Sequence, residues 1–276
     1  MADVCAQIEA ACAQWAEPPG PNIVFTGVEA LRHPDLSLLL QRAMAAGAQR
    51  VRLATDAVAL QSGEVADKIL RAGVNQIEVV VRGSEDEAQH ALAGATAPLS
   101  ATLAGVGAFL DAASRLGAKV HVAAKVPVCR HNVHDLPGIV TAAAKAQISL
   151  VAIVVEDAAL DPAGIAPWVE AACDTGIVSG TWVEVEGLPY CLASGWELHL
   201  ASVYRDVDGV KAASCETCPL DEFCGGLARG ADPRLAARLQ PPALAAYLAE
   251  GIRRGFDPAL VIAGAGATRD AEARDE

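Results

Sequence analysis

The sequence predicts an α/β fold with a parallel sheet, on three observations. Short β-branched runs alternate with amphipathic helical stretches along most of the chain. Strand starts near residues 23, 51, 77, 120, 150 and 182 recur every 26 to 43 residues, the length of a strand–helix unit. The strands read as apolar runs, the pattern of parallel strands covered by helices. A doubly wound sheet and a full or partial barrel both fit this spacing, and periodicity alone does not choose between them. In either, ligands gather at the carboxyl ends of the strands.

The elements are justified in turn. Ile23–Thr26 is a β-branched run followed by a helical pattern over Leu36–Ala46. Val51–Thr55 leads to a helix over Gly63–Ala72, and Ile77–Val81 leads to one over Leu99–Leu116. Val120–Val126 precedes a helix at Leu136–Ala146, Leu150–Val155 precedes one at Ala163–Ala172, and Trp182–Val185 closes the series. Gly47, Gly73 and Gly117 stand where a helix needs a left-handed residue to end it. The acidic stretch Glu85–Glu87 reads as a solvated helix start, favoured by the helix dipole.

These patterns divide the chain into an N-terminal helical segment (1–21), a strand–helix region (22–186), a cysteine-rich segment (187–228) and a C-terminal stretch (229–276). That last part is helical over Leu235–Gly251, interrupted at Pro241–Pro242, and ends in a charged tail, Arg269–Glu276.

Composition narrows the function. Hydrophobic residues make up 53% of the 276 and charged residues 20%, which describes a globular chain. The formal charge of −13 disfavours a nucleic-acid partner, whose phosphates demand cations. No run approaches the roughly 20 apolar residues of a membrane helix, so no membrane association is expected. The first residues, Met1–Trp15, lack the basic region of a signal peptide, so a cytoplasmic location with reduced thiols is expected.

Four of the eight cysteines stand apart: Cys215, Cys218 and Cys224 form C-x2-C-x5-C, followed by Gly225-Gly226, and Cys191 lies 24 residues before Cys215. A C-x2-C pair turns two thiolates toward one centre, and a third and fourth complete a four-thiolate shell. An iron–sulfur cluster, a structural zinc and buried thiols are the three readings. Zinc ribbons with four cysteines usually carry two C-x2-C knuckles, and here there is one. Cys5, Cys12 and Cys173 read as small buried hydrophobes, whereas Cys129 follows a strand at its carboxyl end, where sites form.

Other motifs carry less. His131 and His134 lie beside Asn132 and Asp135 and read as helix-entry residues, with Asn132 or Asp135 as cap. His33, before Pro34, reads as a loop residue. Gly105-Val-Gly107 falls inside a helical run and is no dinucleotide loop, and Gly264-Ala-Gly-Ala-Thr268 lacks the P-loop lysine.

Several segments in order resemble one family. Ile23-Val-Phe-Thr-Gly27-Val28-Glu29-Ala30 is similar to the second strand and GGEP loop of the radical SAM superfamily. Thr55-Asp56 resembles its third strand ending, Val80-Val-Arg-Gly83-Ser84 its fourth, and Val128–Pro137 the helix start after its fifth. Gly187–Cys191 with the later cysteine run resembles the family's shortened SPASM-type, or twitch, domain. The likeness covers Asn22–Gly226. It implies a partial parallel (β/α) barrel followed by a small cysteine-rich domain holding one [4Fe-4S] cluster on Cys191, Cys215, Cys218 and Cys224, with zinc as the alternative.

Departures from the family pattern shape the functional expectation. Nothing before Ile23 matches the family's C-x3-C-x2-C loop, Val28 replaces the second glycine of GGEP, and Asp56-Ala57 replaces Asn-Gly. Gly27 and Glu29 are then remnants of a site for S-adenosylmethionine, which is not expected to be cleaved here. Three thiolates leave an iron open to substrate, whereas four close the shell. The resemblance therefore implies an accessory subunit, relaying electrons or docking a catalytic radical SAM relative or a peptide or protein substrate. The alternatives are an enzyme that reuses the barrel cavity through Glu29, His33, Asp56 and Cys129, and a structural zinc protein.

Overall fold

The computed structural model describes residues 2–14, 21–27, 29–93, 97–200, 209–227, 229–243 and 245–253. Val28 and the tail Arg269–Glu276 lie outside the described residues, as does Gly264–Thr268. Six parallel strands form one open sheet in sequence order: β1 (Asn22–Phe25), β2 (Arg50–Ala54), β3 (Gln76–Val80), β4 (His121–Pro127), β5 (Leu150–Val154) and β6 (Trp182–Glu186). Sequential order in a parallel sheet is what successive strand–helix units produce, and it is compatible with a partial barrel.

Register follows from the ladder: Ile23 pairs with Val51, Leu53 with Ile77 and Val79 with Ala124. One face of the sheet is buried, through Val51, Leu53, Ile77, Val79, Val122, Ala124 and Val126. The other face alternates with it and is only half-covered, so the expectation of unbroken apolar runs is corrected to alternation in these strands. Arg52, Gln76 and Glu78 explain the difference: they sit on that second face, where Arg52 donates to Gln76 at 3.3 Å and to Glu78 at 3.1 Å. Charged groups in such a row stay partly solvated, because full burial would cost more than their pairing returns.

The helices are α1 (Ala2–Gln14), α2 (Leu36–Ala45), α3 (Gly63–Arg71), α4 (Asp86–Ala93), α5 (Leu99–Leu116), α6 (Leu136–Lys145), α7 (Pro162–Ser179), α8 (Pro233–Ala236) and α9 (Ala245–Arg253). Apolar stripes on α2 (Leu36, Leu39, Leu40, Ala43), α3 (Ala66, Ile69, Leu70) and α6 (Leu136, Ile139, Val140, Ala143) are buried, the i, i+3, i+4 spacing of a core-facing helix. Gly117 ends α5 in the left-handed conformation (φ 63°), its N–H bonded back to Ala113 and Ser114.

The chain falls into two compact units. One comprises the described residues of Met1–Pro127, His131–Ala152 and Asp174–Val183; the other comprises those of Val128–Arg130, Ile153–Cys173 and Glu184–Glu276. Among the described residues, no helix is long and apolar enough to cross a membrane.

Candidate functional site: a strand-end rim and a four-thiol cavity

In the first unit, β1 leads through Gly27, where a side chain would meet only open space, to Glu29. Glu29 caps a short 3-10 turn, Ala30–Arg32. Its Oε1 accepts from the Leu31 N–H at 2.9 Å and the Thr55 hydroxyl at 2.7 Å, and its Oε2 accepts from the Asp56 N–H at 2.7 Å. One carboxylate thereby ties the loop after β1 to the loop after β2. Asp56 in turn accepts from the Val58 N–H, and His33 Nδ1 accepts from the Asp35 N–H at 3.2 Å.

Ala57 keeps the left-handed backbone (φ 61°) that suits glycine, although it carries a side chain. Gly105 of α5 packs on it: a Cβ there would lie 1.9 Å from the Ala57 carbonyl oxygen. Gly105 is thus a place of close packing, whereas a Cβ on Gly107 would meet only open space.

Asp135 stands at the cap position of α6 and Asn132 at that of the 3-10 turn before it (Val133–Asp135), but the side chains of both bond elsewhere. Asn132 is buried and donates to the Arg82 and Pro127 carbonyls. Asp135 occupies the cap position without bonding the helix, and its carboxylate instead accepts from Ser84, N–H at 2.7 Å and hydroxyl at 2.6 Å. His131 and His134 are exposed. Cys12 and Cys173 are buried, while Cys5 and Cys129 are half-buried.

In the second unit, Cys191 sits in a 3-10 turn (Tyr190–Leu192), Cys215 in another (Ala213–Thr217), and Cys218 ends the latter with its N–H bonded to the Cys215 carbonyl. Bonds from Asp221 to Cys218 and from Cys224 to Leu220 wind the next six residues into a tight loop over fully buried Leu220. All four thiols line one cavity of about 20 Å³, above the roughly 10–15 Å³ that a single water needs. Leu239, Pro241 and Pro242 also border it, and the Ser214 hydroxyl donates to the Leu239 carbonyl at 3.1 Å.

Burial pushes the Cys191 thiol up to about 12, with the nearby Cys224 thiol adding to it and Cys215 and Cys218 contributing less. Burial also raises Cys224, opposed by the Gly226 and Tyr190 N–H groups and by Lys211. Thiols so placed resist ionisation until a cation compensates them. No disulfide joins them, and among the described residues no three His, Cys, Asp or Glu side chains close on a point as a single metal ion requires. As a donor set, four cysteines on one cavity are of the kind that holds a thiolate-ligated metal centre.

The four cysteines that sequence reasoning singled out line this cavity, and so do Lys211 and Asp221, which it did not single out. Lys211 reaches this cavity through a two-strand ribbon in which Val210 and Leu227 exchange both backbone bonds, at 2.9 and 3.0 Å. No local pattern announces such a pairing.

No protein-family model and no curated protein matches the sequence. Solved structures do. SuiB of Streptococcus suis bound to S-adenosylmethionine superposes with a TM-score of 0.50 at 11% identity, over 65% of this chain and 41% of that one. SuiB bound to its precursor peptide SuiA gives 0.51 at 11% identity, over 67% and 42%. The fold is radical SAM-like. The chain spans about two-fifths of the length of these SuiB structures.

Proposed function

We propose that this radical SAM-like protein binds one [4Fe-4S] cluster through Cys191, Cys215, Cys218 and Cys224 and serves as an accessory subunit, passing electrons to or docking a catalytic relative or a peptide substrate. The observation that carries the reading is the convergence of all four thiols on one cavity. A single zinc would need the sulfurs within about 3.8 Å of one another, from Zn–S bonds of about 2.3 Å in a tetrahedron. A cluster would instead take one thiolate to each iron, so its four sulfurs stand further apart. Such a centre supplies one-electron transfer.

Two features support the accessory role. Glu29, the best-placed remnant of a ligand site, already has both oxygens engaged by protein donors. The −13 charge favours a basic peptide or partner. The likeness to SuiB, crystallised with its precursor peptide, adds a reason to look for a peptide.

The test is to prepare the full chain anaerobically and measure iron, acid-labile sulfide and zinc for wild type and Cys218→Ala. About four irons and four sulfides per chain, lost in the variant, is the expected result. One zinc without sulfide would overturn the electron-relay reading.

A further inference from the structure

We infer that Lys211 is a positioning residue that sets the reduction potential of the centre at the four thiols, with Asp221 as its counterweight. The inference rests on the cluster reading above. It starts from the ribbon. A Cβ on Gly209 would lie 1.8 Å from the Gly225 carbonyl oxygen, so only glycine lets these two segments meet. Gly226 adopts φ 76°, and a Cβ there would lie 3.0 Å from Lys211 Cγ. The lysine stem therefore lies over Gly226, two residues after Cys224.

The head group is fixed as well. Lys211 Nζ donates to the Asp221 carbonyl and to Asp221 Oδ1, both at 2.8 Å. Asp221 lies midway in the loop between Cys218 and Cys224, so the cation is tied to the loop that carries two of the four thiols. Lys211 and Asp221 both border the cavity that the four thiols line.

A cation held there acts on redox chemistry by simple electrostatics. One-electron reduction, drawing on an external one-electron donor, adds one negative charge to the centre. A fixed positive charge stabilises that state over the oxidised one, and a neighbouring carboxylate offsets part of the gain. Lys211 is partly exposed, so solvent screens it and the effect is moderate.

An EPR-monitored redox titration of the reconstituted full chain tests this, with iron counted in the same samples. Lys211→Met should make the centre about tenfold harder to reduce, ~59 mV lower for a one-electron couple. Lys211→Arg should keep the wild-type potential, and Asp221→Asn should raise it. A full iron content with an unmoved potential in Lys211→Met overturns the inference. Should Lys211→Met lose iron, Asp221→Asn decides: a raised potential supports the inference and an unchanged one overturns it. A wild-type chain that takes up no iron defeats the cluster reading itself, which the iron count reveals separately.

Discussion

The strand-end rim and the thiol cavity handle their polar groups in opposite ways. At the rim, Glu29 is satisfied by three protein donors, and Asp56, His33 and Asp135 each accept a backbone N–H. At the cavity, burial drives Cys191 and Cys224 toward the neutral thiol, and the protein supplies only two N–H groups and one lysine to offset it at Cys224. The same contrast shows in the carboxylates of the first unit. Asp86 is held below its ordinary pKa by the Ser100 hydroxyl and N–H. Groups that are satisfied internally maintain a scaffold, whereas buried thiols ionise only where a cation compensates them.

If that contrast holds, damage to the two regions has separable consequences. The largest effect is expected from Gly209→Ala, which forces the ribbon apart at the Gly225 carbonyl and should abolish most iron uptake, read by metal analysis on folded protein. Next is Gly105→Ala, whose methyl meets the Ala57 carbonyl. It should destabilise the chain by about 3 kcal/mol, seen in denaturant unfolding, while folded protein keeps its full iron content.

Glu29→Gln should cost about 1–2 kcal/mol, because an amide cannot accept from both the Thr55 and Asp56 sides, again without iron loss. Iron loss in that variant would break the contrast. The smallest effect belongs to Ser100→Ala. Asp86 has a depressed folded pKa, so its bond to Ser100 stabilises above the ordinary carboxylate pKa and is lost as pH falls through the folded value. Wild type and variant should therefore differ slightly near neutral pH and converge in acid.

Much of the fold was legible in the sequence. The six strands lie within about a residue of their predicted spans, and α5 matches Leu99–Leu116. That precision reflects strong local signals, β-branched runs and glycine stops. The reading failed where tertiary contacts overrule local chemistry. The helix predicted to end at Ala172 runs to Ser179 as α7, through Thr175 and Gly176. Gly176 is there because a Cβ would lie 2.6 Å from the Thr181 carbonyl and from Val183. The strands read as apolar runs because Ala and Val dilute the charged row of Arg52 and Glu78.

The site divides the same way. The C-x2-C-x5-C spacing is local and drew attention to the thiols that line the cavity, whereas the placing of Lys211 there depends on a pairing between residues 210 and 227 that sequence alone does not display. The sequence grouped Glu29 with Asp56 at one rim, but the bonds that join Glu29 to Thr55 and Asp56, 26 and 27 residues on, are visible only in three dimensions.

The most direct test of the cluster is an anomalous-difference map at the iron edge from crystals of the full chain grown anaerobically. The account predicts a compact iron peak enclosed by Cys191, Cys215, Cys218 and Cys224. A map with no iron there, or a lone zinc signal at the zinc edge, would contradict it.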